Sequence, residues 1–209
     1  MADHSSAQLD WILVTGFGAF PGVLDNPTEA VARTLDGRMI AGTQIRAEVL
    51  DVTFAGVAQR LETHLVGHPP AATIHLGVAV QSTHVRLERQ AVNWKRASIP
   101  DVAGVSFDGV PIDAAAEPHR VLETDVPVGS IVASLQNAGF AARESDDPGR
   151  YVCNCTYYQA LRIFGAQGIP SLFVHVPPLG VDPGENESGP WTSEALLAVA
   201  ERVIEAVVE

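Results

Sequence analysis

Three separate segments of the sequence carry side chains that together could perform nucleophilic catalysis. Cys153 follows a Pro-Gly turn at 148–149 and precedes a stretch, 155–164, with helical spacing. A thiol at the start of a helix faces unpaired N–H groups and the positive end of the helix dipole, which favour the nucleophilic thiolate. His175 in an apolar segment and Glu88 in an alternating segment supply an imidazole and a carboxylate. These three groups are the parts of a cysteine hydrolase.

Each of these residues also has an ordinary structural interpretation. A buried cysteine is more often inert than reactive, and a histidine within an apolar strand is usually a satisfied core residue. Glu88 lies between Arg86 and Arg89, so it could face water on a charged strand. The residue types alone therefore allow a catalytic site without establishing one.

Spacing disfavours two other kinds of chemistry. The glycine-rich loop 16–22 resembles a dinucleotide-binding loop, but its third glycine lies outside the usual spacing and the next helix start, at Asn26, comes late. Cys153 and Cys155 are separated by a single residue, whereas paired zinc ligands usually have a longer spacing. We therefore expect neither a phosphate-binding loop nor a metal site.

Length, composition and charge predict one domain in the cytoplasm. The 209 residues are 46% hydrophobic and 18% charged, which is typical of a globular chain with one sizeable core. The net charge of −12 disfavours a nucleic-acid partner and an anionic membrane surface. The two cysteines are too close in sequence for an unstrained disulfide, and the polar N-terminus lacks a signal-peptide pattern. We predict a polar tail over 1–9 and a single domain over 10–209.

Short apolar runs alternate with amphipathic stretches along the chain. The predicted strands cover 11–15, 44–52, 71–76, 84–92, 140–143 and 171–176, and the predicted helices cover 26–35, 56–66, 130–137, 155–164 and 193–208. Hairpins or loops are expected over 98–118, and a surface loop or lid over 181–190. This alternation predicts an α/β fold with a twisted, mostly parallel sheet and helices on both faces. Ligands of such sheets bind beyond the carboxyl ends of the strands, where loop 16–22 and His175 fall.

Several short motifs stand out along nearly the whole chain. They are Val14-Thr15-Gly16-Phe17, Asn26-Pro27-Thr28-Glu29, His75-Leu76-Gly77, Leu87-Glu88-Arg89, Ala91-Val92-Asn93, Ile99-Pro100-Asp101, Tyr151-Val152-Cys153-Asn154 and His175-Val176-Pro177. In order, spacing and residue identity, this set resembles the pyroglutamyl peptidase I family, also called pyrrolidone-carboxylate peptidase. Members of that family are cytoplasmic cysteine exopeptidases.

The resemblance implies the same α/β fold and the removal of N-terminal pyroglutamyl residues from peptides, without a metal or an organic cofactor. It makes Cys153 the nucleophile, His175 the base and Glu88 the acidic member of a catalytic triad. The implied substrate pocket is lined by Phe17, Phe20, Val78, Ile99, Tyr151 and Val152. The resemblance also implies a homo-oligomer, often a tetramer, that acts on pyroglutamyl peptides.

In the implied mechanism, His175 accepts the thiol proton while Glu88 holds the imidazole and favours its charged form. Backbone N–H groups near the start of the Cys153 helix would hold the oxyanion. Four places depart from the family pattern: 80–83 lacks the usual Gly-Arg pair, the arginine before Ile-Pro-Asp is Ser98, the first loop 16–22 has an altered sequence, and the Ala-Gly before the nucleophile is Pro148-Gly149. Two alternatives stay open. One is a catalytically impaired binding protein on the same scaffold, and the other, by fold analogy alone, is a nucleoside-phosphorylase-like enzyme.

Overall fold

The computed structural model describes residues 10–184 and 189–208. The strands are β1 (Trp11–Phe17), β2 (Met39–Ile40), β3 (Thr43–Leu50), β4 (Ala72–Val78), β5 (Val85–Glu88), β6 (Gln90–Val92), β7 (Lys95–Ala97), β8 (Phe107–Val110), β9 (Val121–Glu123), β10 (Ala142–Ser145) and β11 (Ser171–Val176). The α-helices are α1 (Pro27–Leu35), α2 (Val57–Glu62), α3 (Val128–Asn137), α4 (Val152–Gly165) and α5 (Ser193–Val208), and a 3-10 turn covers Thr63–Leu65. The predicted tail at 1–9 and the centre of the predicted loop at 181–190 lie outside the described residues, so the domain boundary at residue 10 and the lid stay predictions.

Seven of these strands form one sheet, in the order β10-β5-β11-β4-β1-β3-β2. The pairs β1–β3, β1–β4, β4–β11 and β5–β10 are parallel, whereas β5–β11 and β2–β3 are antiparallel. β6 pairs with β9, and β7 pairs with β8, in two small sheets outside the main one. The predicted mostly parallel α/β architecture is therefore confirmed.

Helices cover both faces of the main sheet, as predicted. α1, α3 and α5 pack on one face through apolar side chains that include Leu35, Leu135 and Val203. α2 and α4 pack on the other face, where Leu61 and Phe164 are fully buried. Within the described residues, no helix is both long and apolar enough to cross a membrane. The space between the sheet and α4 is where the candidate catalytic side chains meet.

The single strand predicted over 84–92 is wrong, because this segment forms two strands in different sheets. β5 ends at Glu88, where its ladder with β10 reaches its last pair, Glu88 with Ser145. The N–H of Arg89 still donates to the Ser145 carbonyl at 2.8 Å, but the next residues pair with β9 instead. This change of partner directs the chain out of the main sheet immediately after Glu88.

The glycine-rich loop after β1 is held against the start of α1. Asn26 caps the helix by accepting a hydrogen bond from the Thr28 N–H at 3.2 Å, and its amide donates to the Gly18 carbonyl at 3.0 Å. The Phe17 N–H donates to the Thr28 hydroxyl at 3.0 Å. A Cβ on Gly16 would lie 2.2 Å from the Thr28 carbonyl oxygen. Glycine at this position therefore permits close packing of strand and helix.

His75 on β4 is fully buried in its neutral form. Its Nδ1 lies 2.8 Å from the Thr15 hydroxyl, and its Nε2 lies 3.1 Å from the Thr73 hydroxyl. Because the Thr73 hydroxyl donates its own proton to Ser171, it accepts from Nε2–H, and Nδ1 accepts from Thr15. Burial lowers the pKa of His75 to about 3, and the charge of His64 acts in the same direction.

Acid should therefore destabilise the fold through His75. Below its usual pKa of 6.5 and down to about 3, the unfolded chain binds a proton that the folded chain does not. The free energy of unfolding should fall as the pH falls, by about 1.4 kcal/mol per pH unit from this residue. Between about pH 6 and 5, denaturant unfolding should show a slope shallower by nearly that amount in His75→Gln, whereas the difference between about pH 7.5 and 6 should be smaller.

The control for this measurement is His119→Asn. His119 is exposed and has a φ of 61°, a backbone conformation that asparagine tolerates. This variant should keep the wild-type slope. Equal slopes in wild type and His75→Gln would contradict the assignment of a neutral buried imidazole to the folded state.

Candidate active site

One row of cross-strand neighbours brings the candidate side chains together. His175, near the carboxyl end of β11, is aligned with Gly77 of β4 on one side and with Arg86 of β5 on the other. Glu88, two residues further along β5, is aligned with Phe173. Aligned residues, and residues two apart on a strand, point to the same face of a sheet. His175, Arg86 and Glu88 therefore share the face on which α4 packs.

His175 and Glu88 form a buried imidazole–carboxylate pair. Their Nδ1 and Oε1 atoms are 2.7 Å apart, His175 is 4% exposed and Glu88 is fully buried. An ionised carboxylate only accepts hydrogen bonds, so Nδ1 carries the proton and Nε2 is left to accept one. Tyr157 of α4 donates its hydroxyl proton to the backbone carbonyl of Glu88 at 2.8 Å, which connects the helix to the strand. Glu88 thus orients an imidazole rather than facing water.

Cys153 is the second residue of α4, which begins at Val152 instead of the predicted start at Cys155. The helix starts earlier because Tyr151 is the last residue with extended backbone. The Cys155 N–H donates to the Tyr151 carbonyl at 3.2 Å, so the N–H groups before it precede the helical ladder. The Tyr151 side chain makes no capping hydrogen bond to them. These N–H groups of the first turn are placed where an oxyanion could accept from them.

Asn154 anchors the helix of the nucleophile to the segment after β5. Its amide donates to the carbonyls of Val92 and Trp94 at 2.9 and 2.8 Å, and its carbonyl oxygen accepts from the Val92 N–H at 2.9 Å. The side chain is fully buried. Asn154 was part of a predicted motif but had no predicted role of its own. The sequence signal for this anchoring role is an asparagine among apolar residues of a helix, because a buried amide needs hydrogen-bond partners.

Gly77 allows the sulfur of Cys153 to approach β4. A Cβ on Gly77 would lie 3.0 Å from Cys153 Sγ and 2.8 Å from the ring of Phe173. Gly77 is the cross-strand neighbour of His175. The sulfur that approaches Gly77 therefore lies on the same face of the sheet as the imidazole, one strand away. The structure thus brings the three residues predicted as catalytic to one place, from α4, β5 and β11.

The thiolate predicted for Cys153 is wrong for the resting protein. Burial raises the pKa of the Cys153 thiol to about 12, and the negative charge of Glu88 acts in the same direction. The hydrogen bond from its own backbone N–H and the charge of Arg86 oppose this change but are outweighed. The thiol is therefore neutral at neutral pH, and nucleophilic attack requires that its proton be transferred to a base.

Alkylation of Cys153 by iodoacetamide should therefore accelerate about tenfold per pH unit between about pH 6 and 9, because the thiolate fraction rises in that proportion. The measurement is best made by mass spectrometry in a Cys155→Ala background, which removes the second thiol. Burial raises the pKa of Cys155 to about 11. A rate already constant from about pH 6 to 8 would instead indicate the thiolate expected from the helix N-terminus.

Cys153 and His175 open into a cavity of about 480 Å³. Five of the predicted pocket residues line it, namely Phe17, Phe20, Val78, Tyr151 and Val152. Its polar lining includes Asn26, Gln81, Ser82, Arg86, Arg143 and Asp147. The cavity therefore combines an apolar wall next to the thiol with polar and charged side chains, which is the usual make-up of a small-molecule site.

Ile99, the sixth predicted pocket residue, does not line this cavity. Its side chain is 58% exposed. The adjacent loop is fixed by the buried carboxylate of Asp101, which accepts hydrogen bonds from three backbone N–H groups. The Pro100 carbonyl accepts from the Tyr151 hydroxyl at 3.0 Å. With both following residues tied inward, Ile99 faces outward.

The cavity also contains residues that the sequence analysis did not assign to a site. Val52, Arg86 and Arg143 are among them, and Arg143 is aligned with Arg86 across the β5–β10 pair. Charged strand residues usually face water, so neither arginine was distinguished by its type. The one indication in the sequence was the spacing of two residues between Arg86 and Glu88, which places both on the same face of a strand.

The comparisons with known proteins agree with this geometry. A family model described as pyroglutamyl peptidase matches residues 10–205. The chain belongs to the pyroglutamyl peptidase family. The pyrrolidone-carboxylate peptidase of Pyrococcus furiosus is 37% identical to it over 168 residues, which are 79% of this chain and 80% of that protein. The protein of the same name from Gloeobacter violaceus is 36% identical over 199 residues, 95% of each chain.

A solved structure supports the same family membership. The pyrrolidone carboxyl peptidase from Thermococcus litoralis superposes with a TM-score of 0.86 at 26% identity, covering 96% of this chain and 94% of that one. The fold of this pyroglutamyl peptidase family member is thus confirmed along almost all its length. Among the described residues, no group of three or more His, Cys, Asp and Glu side chains is placed to hold a metal ion.

Proposed function

We propose that this chain is a cysteine exopeptidase that removes N-terminal pyroglutamyl residues from peptides, with Cys153, His175 and Glu88 as its catalytic residues. The observation that carries the proposal is the buried Glu88–His175 pair, 2.7 Å between Oε1 and Nδ1, whose imidazole lines the same cavity as Cys153. Family membership supplies the reaction class, and the cavity supplies the parts that the reaction needs.

The reaction begins with a neutral thiol. His175 Nε2 accepts the proton of Cys153 as the sulfur attacks the pyroglutamyl carbonyl, and the resulting imidazolium is stabilised by Glu88. N–H groups in the first turn of α4 donate to the oxyanion, each typically worth about 3 kcal/mol. His175 then protonates the leaving amine, which breaks the amide bond and leaves a thioester. A water deprotonated by His175 hydrolyses the thioester, and pyroglutamate and the neutral thiol are released.

The apolar wall of the cavity suits a lactam. A pyroglutamyl residue has no N-terminal ammonium, so its ring can leave water without burying a charge. Phe17, Phe20 and Tyr151 provide aromatic surface for such a ring. The Phe20 and Tyr151 rings are 6.3 Å apart, and Tyr151 is held in turn by the edge of Phe54 at 5.4 Å. An ordinary N-terminal residue would place its ammonium against this surface.

Hydrolysis of pyroglutamyl coumarylamide, compared with prolyl and alanyl coumarylamides, tests this proposal. Release of the fluorophore should be faster from the pyroglutamyl substrate by at least about 100-fold, because the competitors carry an ammonium into an apolar site. Equal rates would overturn the assigned specificity. If pyroglutamate binds in calorimetry but no substrate is hydrolysed, the chain is the catalytically impaired binding protein instead.

The proposal also covers the compartment, the assembly state and the partners of the protein. Cys153 and Cys155 are both free thiols, which supports a reducing cytoplasm. The family resemblance supports a homo-oligomer, often a tetramer, and Ile99, Val102 and Val105 present exposed apolar surface on one segment. Sedimentation at two protein concentrations measures the assembly state, and a monomer at both concentrations would contradict the proposed homo-oligomer.

Peptides are the proposed partners, and neither nucleic acid nor membrane is expected for a chain of charge −12.

A further inference from the structure

Arg86 is in contact with both partners of the catalytic imidazole–carboxylate pair. Its Nη2 lies 3.2 Å from Glu88 Oε1 and 3.3 Å from His175 Nδ1. Two N–H donors cannot bond to each other, so Nη2 and Nδ1 both donate to Oε1, and their proximity follows from that shared acceptor. The Arg86 side chain is 23% exposed, whereas Glu88 is completely enclosed.

Within the described part of the chain, the other buried polar atoms of Arg86 and Glu88 make no hydrogen bond that could replace the contacts to Oε1. Glu88 Oε2 and Arg86 Nε are both buried, and neither has a hydrogen-bond partner among the described residues. Oε1 is therefore the carboxylate oxygen that both Arg86 and His175 contact. An unpaired carboxylate at this depth would be costly to keep ionised, and Arg86 is a permanent positive charge beside it.

We propose that Arg86 is a positioning residue that keeps Glu88 ionised while His175 is neutral, and that it limits the affinity of the pair for a further proton. This inference rests on the proposed function. In the resting state, the carboxylate faces one cation, the guanidinium. When His175 becomes protonated, two cations share one carboxylate, so the imidazolium is less stable than it would be beside Glu88 alone. The arginine thus favours the free base before attack and the return of the proton to the leaving amine.

The other charged and titratable groups around the imidazole do not duplicate this effect. They are Cys153 and Tyr157 on α4, His75 on β4, Arg143 on β10 and Asp147 in the loop after β10. Cys153 and Tyr157 are neutral because burial raises the pKa of each, and His75 is neutral because burial lowers its pKa. Arg143 is exposed, and Asp147 is paired with Arg150 at 2.9 Å. Arg86 is the cation that contacts the pair.

The test is the pH dependence of kcat/KM for pyroglutamyl coumarylamide between about pH 5 and 9. Arg86→Gln should move the acid limb of the profile upward by at least about one pH unit, because the Glu88–His175 pair then binds its extra proton more tightly. The loss of kcat/KM in Arg86→Gln relative to wild type should therefore be about tenfold larger at about pH 6 than at a pH above the limb. Arg86→Lys keeps the charge and should retain the wild-type limb.

The matched control is Arg89→Gln, which removes an arginine from the adjacent position. Arg89 pairs with Asp146 at 2.5 Å, away from the cavity, so its loss should not move the limb. A purely structural role for Arg86 would lower activity at every pH and leave the limb in place, which would overturn the inference. Equal shifts in Arg86→Gln and Arg86→Lys would overturn it as well. Arg86→Met is the substitute if Arg86→Gln does not fold.

A second measurement separates this inference from the proposed function. The ring signals of His175 can be titrated by NMR and assigned with His175→Gln, and this needs no substrate. The imidazole in Arg86→Gln or Arg86→Met should take up its proton at least about one pH unit above wild type. Absence of turnover in wild type with this NMR shift present would reject the peptidase while leaving the role of Arg86 intact. An unshifted titration would reject the role of Arg86 whatever the activity.

Discussion

Replacing Cys153 by serine should lower kcat/KM for pyroglutamyl coumarylamide by at least about 10⁴-fold while leaving the fold intact. A hydroxyl is a much weaker nucleophile than a thiol, and the neighbouring imidazole has to deprotonate a far weaker acid. The exchange of sulfur for oxygen creates no clash, because oxygen is the smaller atom and the facing residue, Gly77, has no side chain. Steady-state kinetics measure the loss, and denaturant unfolding checks the fold.

The control for Cys153→Ser is the other thiol of α4. Cys155 belongs to an apolar cluster that includes Ala91 and Ala97 and is 3% exposed. Cys155→Ala should reduce stability by about 1 kcal/mol and leave kcat/KM within a few-fold of wild type. Comparable activity in Cys153→Ser and wild type, or loss of activity in Cys155→Ala alone, would show that the nucleophile has been misassigned.

Glu88→Gln should lower kcat by about 10³- to 10⁴-fold, the second largest effect expected. The glutamine amide can turn its NH₂ toward His175 Nδ1, which would place the ring proton on Nε2, where the thiol proton has to be accepted. It also cannot stabilise the imidazolium. In addition, Arg86 would lose the carboxylate that neutralises it at 3.2 Å, so some loss of stability should accompany the loss of activity.

The matched control for Glu88→Gln is Glu144→Gln. Glu144 lies on β10, next to β5, and pairs with Arg89 at 3.5 Å in an exposed ion pair. Such pairs contribute little, so this variant should keep wild-type kcat and stability within about 0.5 kcal/mol. A Glu88→Gln enzyme with wild-type kcat would mean that His175 needs no buried carboxylate, and the proposed mechanism would lose its acidic member.

Several elements could be predicted closely because their causes are local. The strand 171–176 and the helix 193–208 have the predicted bounds, and α1 ends at Leu35 as expected. α1 begins where Asn26 caps it and Pro27 fits its first turn, both of which are visible in the sequence. Periodicity, capping residues and glycine or proline stops act within a few residues, so they can be identified without the fold.

Strand partners were not predictable in the same way. The alternation over 84–92 gave no sign that pairing would change at Arg89, or that β5 would run antiparallel to β11. Both depend on which distant segments are available at that edge of the sheet, and a local pattern of side chains contains no information about them. The outward direction of Ile99 is similar, because it follows from the buried carboxylate of Asp101.

The sequence by itself determined the chemical groups of the candidate site, a thiol, an imidazole and a carboxylate carried on motifs in family order. Only the tertiary structure decided their states. It places the half-buried thiol near Glu88, which raises the pKa of Cys153 and favours the neutral thiol, against the prediction from the helix start. It also places Arg86 on the pair formed by His175 and Glu88. Residue types are local properties, whereas desolvation and charge–charge contact arise from segments far apart in the chain, so they exist only after the sheet and α4 have packed together.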